Sequence, residues 1–178
     1  MADATDFYPE RVLRGLLEHE VRFVVIGGLA VMALGSPLVT YDTDICYERS
    51  PENLERLAAA LKALNARLRG APEDVPFLLD AQTLARGDHF TFLTDAGPFD
   101  ILGTPSGSEG YDALVRNAVQ AELFGAVVMV SGLDDLIRMK RAAGRLKDLR
   151  ALEELGGLRD ELEGRPEEPW VPPGERGE

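Results

Sequence analysis

Cysteine is nearly missing from this chain. Cys46 stands alone, so no disulfide can form within it, and the composition fits a reducing compartment. Long apolar runs are missing too: nothing approaches the ~18 residues that a membrane-spanning helix needs. The first residues, MADATDFYPE, are acidic and carry no apolar signal core, so the expectation is a cytoplasmic protein without a membrane partner. Positive charge is scarce. Nineteen Lys and Arg face 31 Asp and Glu, a formal net charge of −12, a poor overall match to nucleic acid. No Gly-x4-Gly-Lys-Ser/Thr loop occurs, which excludes a P-loop. His19 and His89 lack metal-ligand spacing, and each reads as a surface or helix-end residue. No internal repeat is visible.

The rest is ordinary for a globular protein, with 45% hydrophobic and 28% charged residues. A chain of 178 residues suffices for one domain and should bury roughly 70% of its unfolded surface. Apolar positions at Val12, Leu13, Leu16 and Leu17 predict an amphipathic helix over 7–20. Val21 to Ile26 reads as a strand covered on both faces. Gly27-Gly28 ends it, and a short helix over 29–34 is broken by Gly35-Ser36-Pro37. Asp42 to Tyr47 is the next strand. Ser50-Pro51-Glu52 opens a helix well, and leucines 54, 57, 61, 64 and 68 extend one stripe to the Gly70-Ala71-Pro72 stop. A short strand over 77–80, a hairpin of 90–94 with 99–102, a helix over 111–119 and a strand over 126–130 follow. Ser131-Gly132-Leu133-Asp134 opens a helix to about Ala143. Gly144 interrupts, and a last helix from about Arg145 to Leu155 ends at Gly156-Gly157.

That order predicts an α/β (α+β) fold with a mixed sheet flanked by helices. Residues 1–130 form the core and 131–158 the helices packed on it. Residues 159–178 are acidic and proline-rich, a tail expected to be disordered. Trp170 lies in it, either docking on a partner or packing loosely on its own domain.

The chemistry concentrates on acids placed where strands should be apolar. In a strand, residues i and i+2 point the same way, so Asp42 and Asp44 present two carboxylates side by side. Like charges repel and aspartate is disfavoured in strands; a divalent cation with hard oxygen ligands compensates directly. Asp100 sits within Phe99-Asp100-Ile101-Leu102. If that strand neighbours the first, three acids converge and can hold two metals, clamping the attacking and leaving oxygens of a phosphoryl or nucleotidyl transfer. The alternative is that Asp42 begins a turn and Asp100 is edge-exposed. Gly27-Gly28 lets backbone N–H groups approach a phosphate; a tight turn is its plainer use. Lys140 continues the apolar stripe of Leu133, Leu136 and Ile137, and either snorkels to water or reaches a triphosphate. From Arg138 to Arg150 six basic residues meet one acid, Asp148. That run is a solvated helix face or the place where a polyphosphate or RNA backbone is met. Cys46 has no base placed to activate it and reads as a packed thiol.

Gly-Gly, about a dozen residues, Asp-x-Asp and a later strand aspartate resemble the nucleotidyltransferase superfamily of the DNA polymerase β type. The stretch VSGLDDLIRMKRAAGRLKDLRALEEL resembles its smaller bacterial branch, with the AbiEii-type and MenT-type toxins of toxin–antitoxin systems. The resemblance covers roughly Val21 to Leu155. It implies that Gly27 and Gly28 hold nucleotide phosphates. Asp42, Asp44 and Asp100 would bind Mg²⁺, or Mn²⁺ in its place, with Asp100 also placed to deprotonate an acceptor hydroxyl. Lys140 would contact the triphosphate, Arg145 and Asp148 would sit at the rim, and Thr40 would lie near the phosphates. Two positions depart from the pattern. Leu38 stands where relatives often carry arginine, and Thr43 replaces an apolar residue between the aspartates.

The leading expectation is a Mg²⁺-dependent nucleotidyltransferase that moves NMP from an NTP to the 3′ end of tRNA, as a toxin with a cognate antitoxin. The Arg138–Arg150 cluster would hold the RNA backbone. A second reading is transfer to a small molecule such as an aminoglycoside, which the acidic net charge favours. A third is transfer to a partner protein's hydroxyl. A non-enzymatic reading, a degenerate nucleotide- or partner-binding member, is disfavoured because all three acids are present.

Overall fold

The computed structural model describes residues 6–72 and 74–163, apart from the side chains of 146–149 and 161–162. Helices are Pro9–Glu18 (α1), Gly27–Ala33 (α2), Pro51–Ala63 (α3), Ala81–Arg86 (α4), Tyr111–Asn117 (α5), Leu133–Ala143 (α6) and Leu146–Glu163 (α7). Strands are Phe23–Ile26 (β1), Thr43–Tyr47 (β2), Arg67–Leu68 (β3), His89–Thr94 (β4), Gly97–Leu102 (β5), Val119–Leu123 (β6) and Ala126–Val130 (β7). They form one seven-stranded sheet in the order β3-β4-β5-β2-β1-β7-β6. β1 runs parallel to β7, and β2 parallel to β5. The β1–β2, β3–β4, β4–β5 and β6–β7 pairs are antiparallel. The expected mixed α/β architecture with helices at the C-terminal end is therefore what the chain adopts. Among the described residues, no helix is long and apolar enough to cross a membrane.

The strand chemistry explains the layering. All four residues of β1 are buried, as a β-branched strand covered on both faces requires. In β5, Phe99 and Ile101 are fully buried while Pro98, Asp100 and Leu102 are only partly so: a period of two sends one face to the core and the other to an opening. α1 buries Val12, Leu13 and Leu16, and α3 buries Leu54, Leu57 and Leu61. Ser50 caps α3 by accepting from Asn53 N at 3.2 Å. Asn53 is itself fully buried. Its Oδ1 accepts from Arg22 N at 2.7 Å, and its Nδ2 donates to Arg22 O at 3.0 Å and Glu48 O at 2.7 Å. One side chain thus ties α3 to the start of β1 and the end of β2.

Thr43 faces that same core, and its hydroxyl finds no hydrogen-bond partner among the described residues. A buried unsatisfied hydroxyl costs about 1–3 kcal/mol. Thr43→Val, which keeps the shape and removes the polar atom, is expected to raise stability by about 1 kcal/mol, read as a higher urea midpoint at unchanged m-value.

Several boundaries differ from the sequence expectation, each for a local reason. α3 stops at Ala63 because Asn65 takes a left-handed turn at φ 52°. Leu68 therefore belongs to β3 and not to the helical stripe. Residues 77–80 form no strand. They lead into the unexpected α4, whose N-cap Asp80 accepts from Thr83 N at 2.7 Å, while Phe77 packs against Phe90 and Phe92. α5 ends at Asn117, and Val119 opens β6, which pairs with β7 across a Phe124-Gly125 turn at φ 51° and 77°. α7 runs through Gly156-Gly157 to Glu163, taking in the start of the expected tail. Fully buried Leu155 and buried Ala151 anchor it, and two glycines weaken a helix without ending it. Residues 164–178, with Trp170, lie outside the described residues.

Candidate active site

The parallel β2–β5 pairing sets Asp44 directly opposite Asp100, and the antiparallel β4–β5 pairing sets Asp100 opposite Thr91. Asp42 immediately precedes β2. All three acids line one cleft of about 840 Å³. Ile26, Gly27 and Gly28 bring the end of β1 and the start of α2 to it, residues 38–42 form another wall, and Lys140 and Arg145 come from α6 and just beyond. The described site residues expected from the sequence are thus gathered around a single opening. Asp148 is the exception, since its side chain lies outside the described ones.

The two glycines have a reason the sequence did not disclose. Gly27 sits at φ +65°, and a Cβ there would overlap the carboxylate of Asp44, with Asp44 Cγ only 2.9 Å away. A Cβ on Gly28 would come within 2.5 Å of Thr40 Cβ and 2.6 Å of its Oγ1. The missing side chains are the space into which Asp44 and Thr40 close. Thr40 Oγ1 in turn donates to Asp42 Oδ1 at 2.7 Å. Glycine, threonine and both aspartates are one packed unit.

Asp100 is held from the other side. Arg69 Nη2 donates to both of its carboxylate oxygens, each at 3.1 Å. Burial raises the Asp100 carboxyl above its ordinary range; the Arg69 guanidinium pulls it back, the charge of Asp42 adds to the rise, and His89 pulls it down. His89 opens β4 beside Leu102; it is exposed, as expected of a surface histidine, and its place on that surface is the cleft lining. His19 does stand at a helix end, its Nδ1 2.8 Å from Gly15 O. Asp88 also borders the cleft but is engaged by Arg49 Nη1 at 3.2 Å and by Thr104 N and Oγ1 at 3.1 and 3.2 Å. Cys46 is packed, as expected: burial pushes its thiol up to about 12, and its Sγ lies 3.4 Å from Gly103 O.

Among the described residues no three histidine, cysteine, aspartate or glutamate side chains stand close enough to hold a metal ion. The donor set nevertheless suits one. Cross-strand Asp44 and Asp100 with adjacent Asp42 are hard oxygen donors beside an open cleft, which is what Mg²⁺ takes while keeping waters and substrate phosphates. Asp42 and Asp44 meet the cleft as a pair, and Asp100 is occupied by Arg69.

The basic run divides. Arg138 pairs with buried Asp135, Lys140 and Arg145 line the cleft, and Arg141 and Arg150 are exposed. Sequence reasoning missed Arg69 and Tyr41, and it left His89 at the surface without placing it at the cleft. Tyr41 is 72% exposed at the cleft wall. The signal for His89 was present in the alternation His89-x-Thr91 opposite Asp100; Arg69 was hidden by the helical spacing of the leucines before it.

No protein-family model matches the sequence, and no curated protein matches it. Solved structures do resemble it. The lincosamide antibiotic adenylyltransferase LnuA, lincomycin-bound, superposes with a TM-score of 0.59 at 10% identity, covering 86% of this chain and 99% of that one. The antibiotic-resistance factor ANT(2'')-Ia in solution gives 0.55 at 14% identity, covering 88% and 90%. Its crystal structure with adenylyl-2''-tobramycin gives 0.54 at 15% identity, covering 88% and 95%. At such identities the likeness is one of fold, and the fold is that of the nucleotidyltransferases.

Proposed function

We propose that this protein is a nucleotidyltransferase that moves a nucleoside monophosphate from an NTP to a hydroxyl group. The observation that carries the reading is the Asp44–Asp100 cross-strand pair with Asp42 beside it, closed over Gly27 at the mouth of a cleft. Asp42, Asp44 and Asp100 would hold Mg²⁺, which when bound neutralises triphosphate charge and stabilises the attacking and leaving oxygens. Thr40 fixes the Asp42 carboxylate. The backbone at Gly27 and Gly28 meets the phosphates, and Lys140 with Arg145 binds the triphosphate and retains the departing pyrophosphate. Asp148 is the further rim residue of this proposal. A carboxylate oxygen of Asp100 takes the proton of the acceptor hydroxyl. Catalysis of this kind is mainly positioning and charge stabilisation.

For the acceptor, the net charge of −12 and the likeness to antibiotic adenylyltransferases favour a small cationic hydroxyl compound. A second reading is the 3′ end of tRNA, in a toxin of the AbiEii or MenT kind held in check by an antitoxin. It is favoured by Lys140 and Arg145 at the cleft, with Arg141 and Arg150 exposed nearby in sequence. Each α-³²P-labelled NTP incubated with protein and cell extract, then fractionated, tests both. Label is expected in the small-molecule fraction with release of pyrophosphate. Label in RNA selects the second reading, and expression should then arrest growth instead of conferring drug resistance. Label in no fraction, with no pyrophosphate, overturns the transferase reading.

A further inference from the structure

We propose that Arg69 is the resident cation of Asp100 and is exchanged for the divalent cation when the cleft is loaded. The inference rests on the reading of the cleft as a metal–nucleotide site. Arg69 follows β3 directly. Its N–H donates to Thr91 O at 2.9 Å, and Thr91 is the cross-strand partner of Asp100. The backbone of Arg69 is therefore anchored beside the strand next to β5, and its side chain crosses β4 to reach the carboxylate. One nitrogen, Nη2, bridges both oxygens at 3.1 Å, the edge that a cation would share. On the opposite flank of β5 lies β2, with Asp44 facing Asp100. Asp100 thus stands between the Arg69 guanidinium and Asp44, with Asp42 just before β2.

This placement accounts for two facts together. Three acids line one cleft, yet no three-ligand group is assembled among the described residues. The guanidinium compensates the third acid while metal is absent, and Asp100 is only 14% exposed, so an uncompensated charge there would be costly. Arg69 is 41% exposed, and an ion pair with one partner so open to water is weak and screened. A divalent cation already drawn by Asp42 and Asp44 can displace it. The freed guanidinium stays at the cleft lining, where it meets an anionic substrate. Arg69 is in this view a positioning residue that sets when Asp100 joins the other two.

Mn²⁺ binding to the full chain, without nucleotide, followed by the EPR signal of the free ion, tests the exchange. Arg69→Ala is expected to bind Mn²⁺ about five-fold more tightly than wild type, equivalent to ~1 kcal/mol. Arg69→Gln should behave alike, and thermal melts check that both variants fold. Removing a positive charge near acids also raises cation affinity at long range, so the double-mutant cycle with Asp100→Asn is decisive. In the Asp100→Asn background the gain from Arg69→Ala should vanish. Equal or weaker Mn²⁺ binding by both Arg69 variants, or the same gain with and without Asp100, overturns the exchange while leaving the proposed transfer standing. Absence of Mn²⁺ binding by wild type and variants alike overturns the exchange and the metal site together.

Discussion

Asp44→Asn is expected to lower nucleotidyl transfer by about 10²–10³-fold while the protein stays folded. The magnitude is that of removing one preorganised electrostatic element from a reacting centre. The substitution keeps shape and volume, so the contact over Gly27 survives and only the charge is lost. The fold should survive, because the asparagine fills the same volume against Gly27. A transfer rate measured beside a thermal melt separates the two effects. Wild-type turnover would remove Asp44 from the chemistry, and a collapsed melting temperature would mean that its role is structural.

Gly27→Ala is expected to cost as much activity as Asp44→Asn and to lose stability as well. Two causes act together. The residue occupies φ +65°, a left-handed conformation that costs an alanine roughly 1–2 kcal/mol. The new Cβ also claims the volume of the Asp44 carboxylate. Either the carboxylate swings away or the β1–α2 turn shifts, and both take Asp44 out of position. The double variant Gly27→Ala, Asp44→Asn should then lose less than the product of the two single losses, because part of the Gly27 effect runs through Asp44 and only the rest through the backbone at the phosphates. Fully multiplying losses would mean that Gly27 does not act through Asp44 at all.

How much of this was readable in the sequence depends on the range of the interaction. Period-two alternation is local, so the strands that carry Asp44 and Asp100 could be seen in the chain itself, whereas Asp42, expected to open the strand, falls in the bend just before β2. The Gly-Gly and Asp-x-Asp spacing made the resemblance visible for the same reason. Asp100 needed a condition, that two parallel strands far apart in sequence be neighbours, and their pairing in register meets it. What escaped depends on tertiary packing. Leu64 and Leu68 continue a helical period, yet the left-handed Asn65 turns the chain and delivers Arg69 to the cleft. The Gly156-Gly157 pair resembles a helix stop, yet packing of Ala151 and Leu155 carries α7 past it. The glycines at 27 and 28 suggested room for phosphate. Their would-be side chains meet Asp44 and Thr40, a fact no spacing along one strand could give.

The central claim is that Asp42, Asp44 and Asp100 close around a divalent cation that carries a nucleotide. The most direct measurement is an anomalous difference map from crystals grown with Mn²⁺ and a non-hydrolysable NTP analogue. The account predicts a peak bonded at about 2.0–2.2 Å to carboxylate oxygens of Asp44 and at least one of Asp42 and Asp100, with Arg69 released from Asp100. A nucleotide bound in the cleft with Asp100 still on Arg69 and no peak between the strands would contradict it.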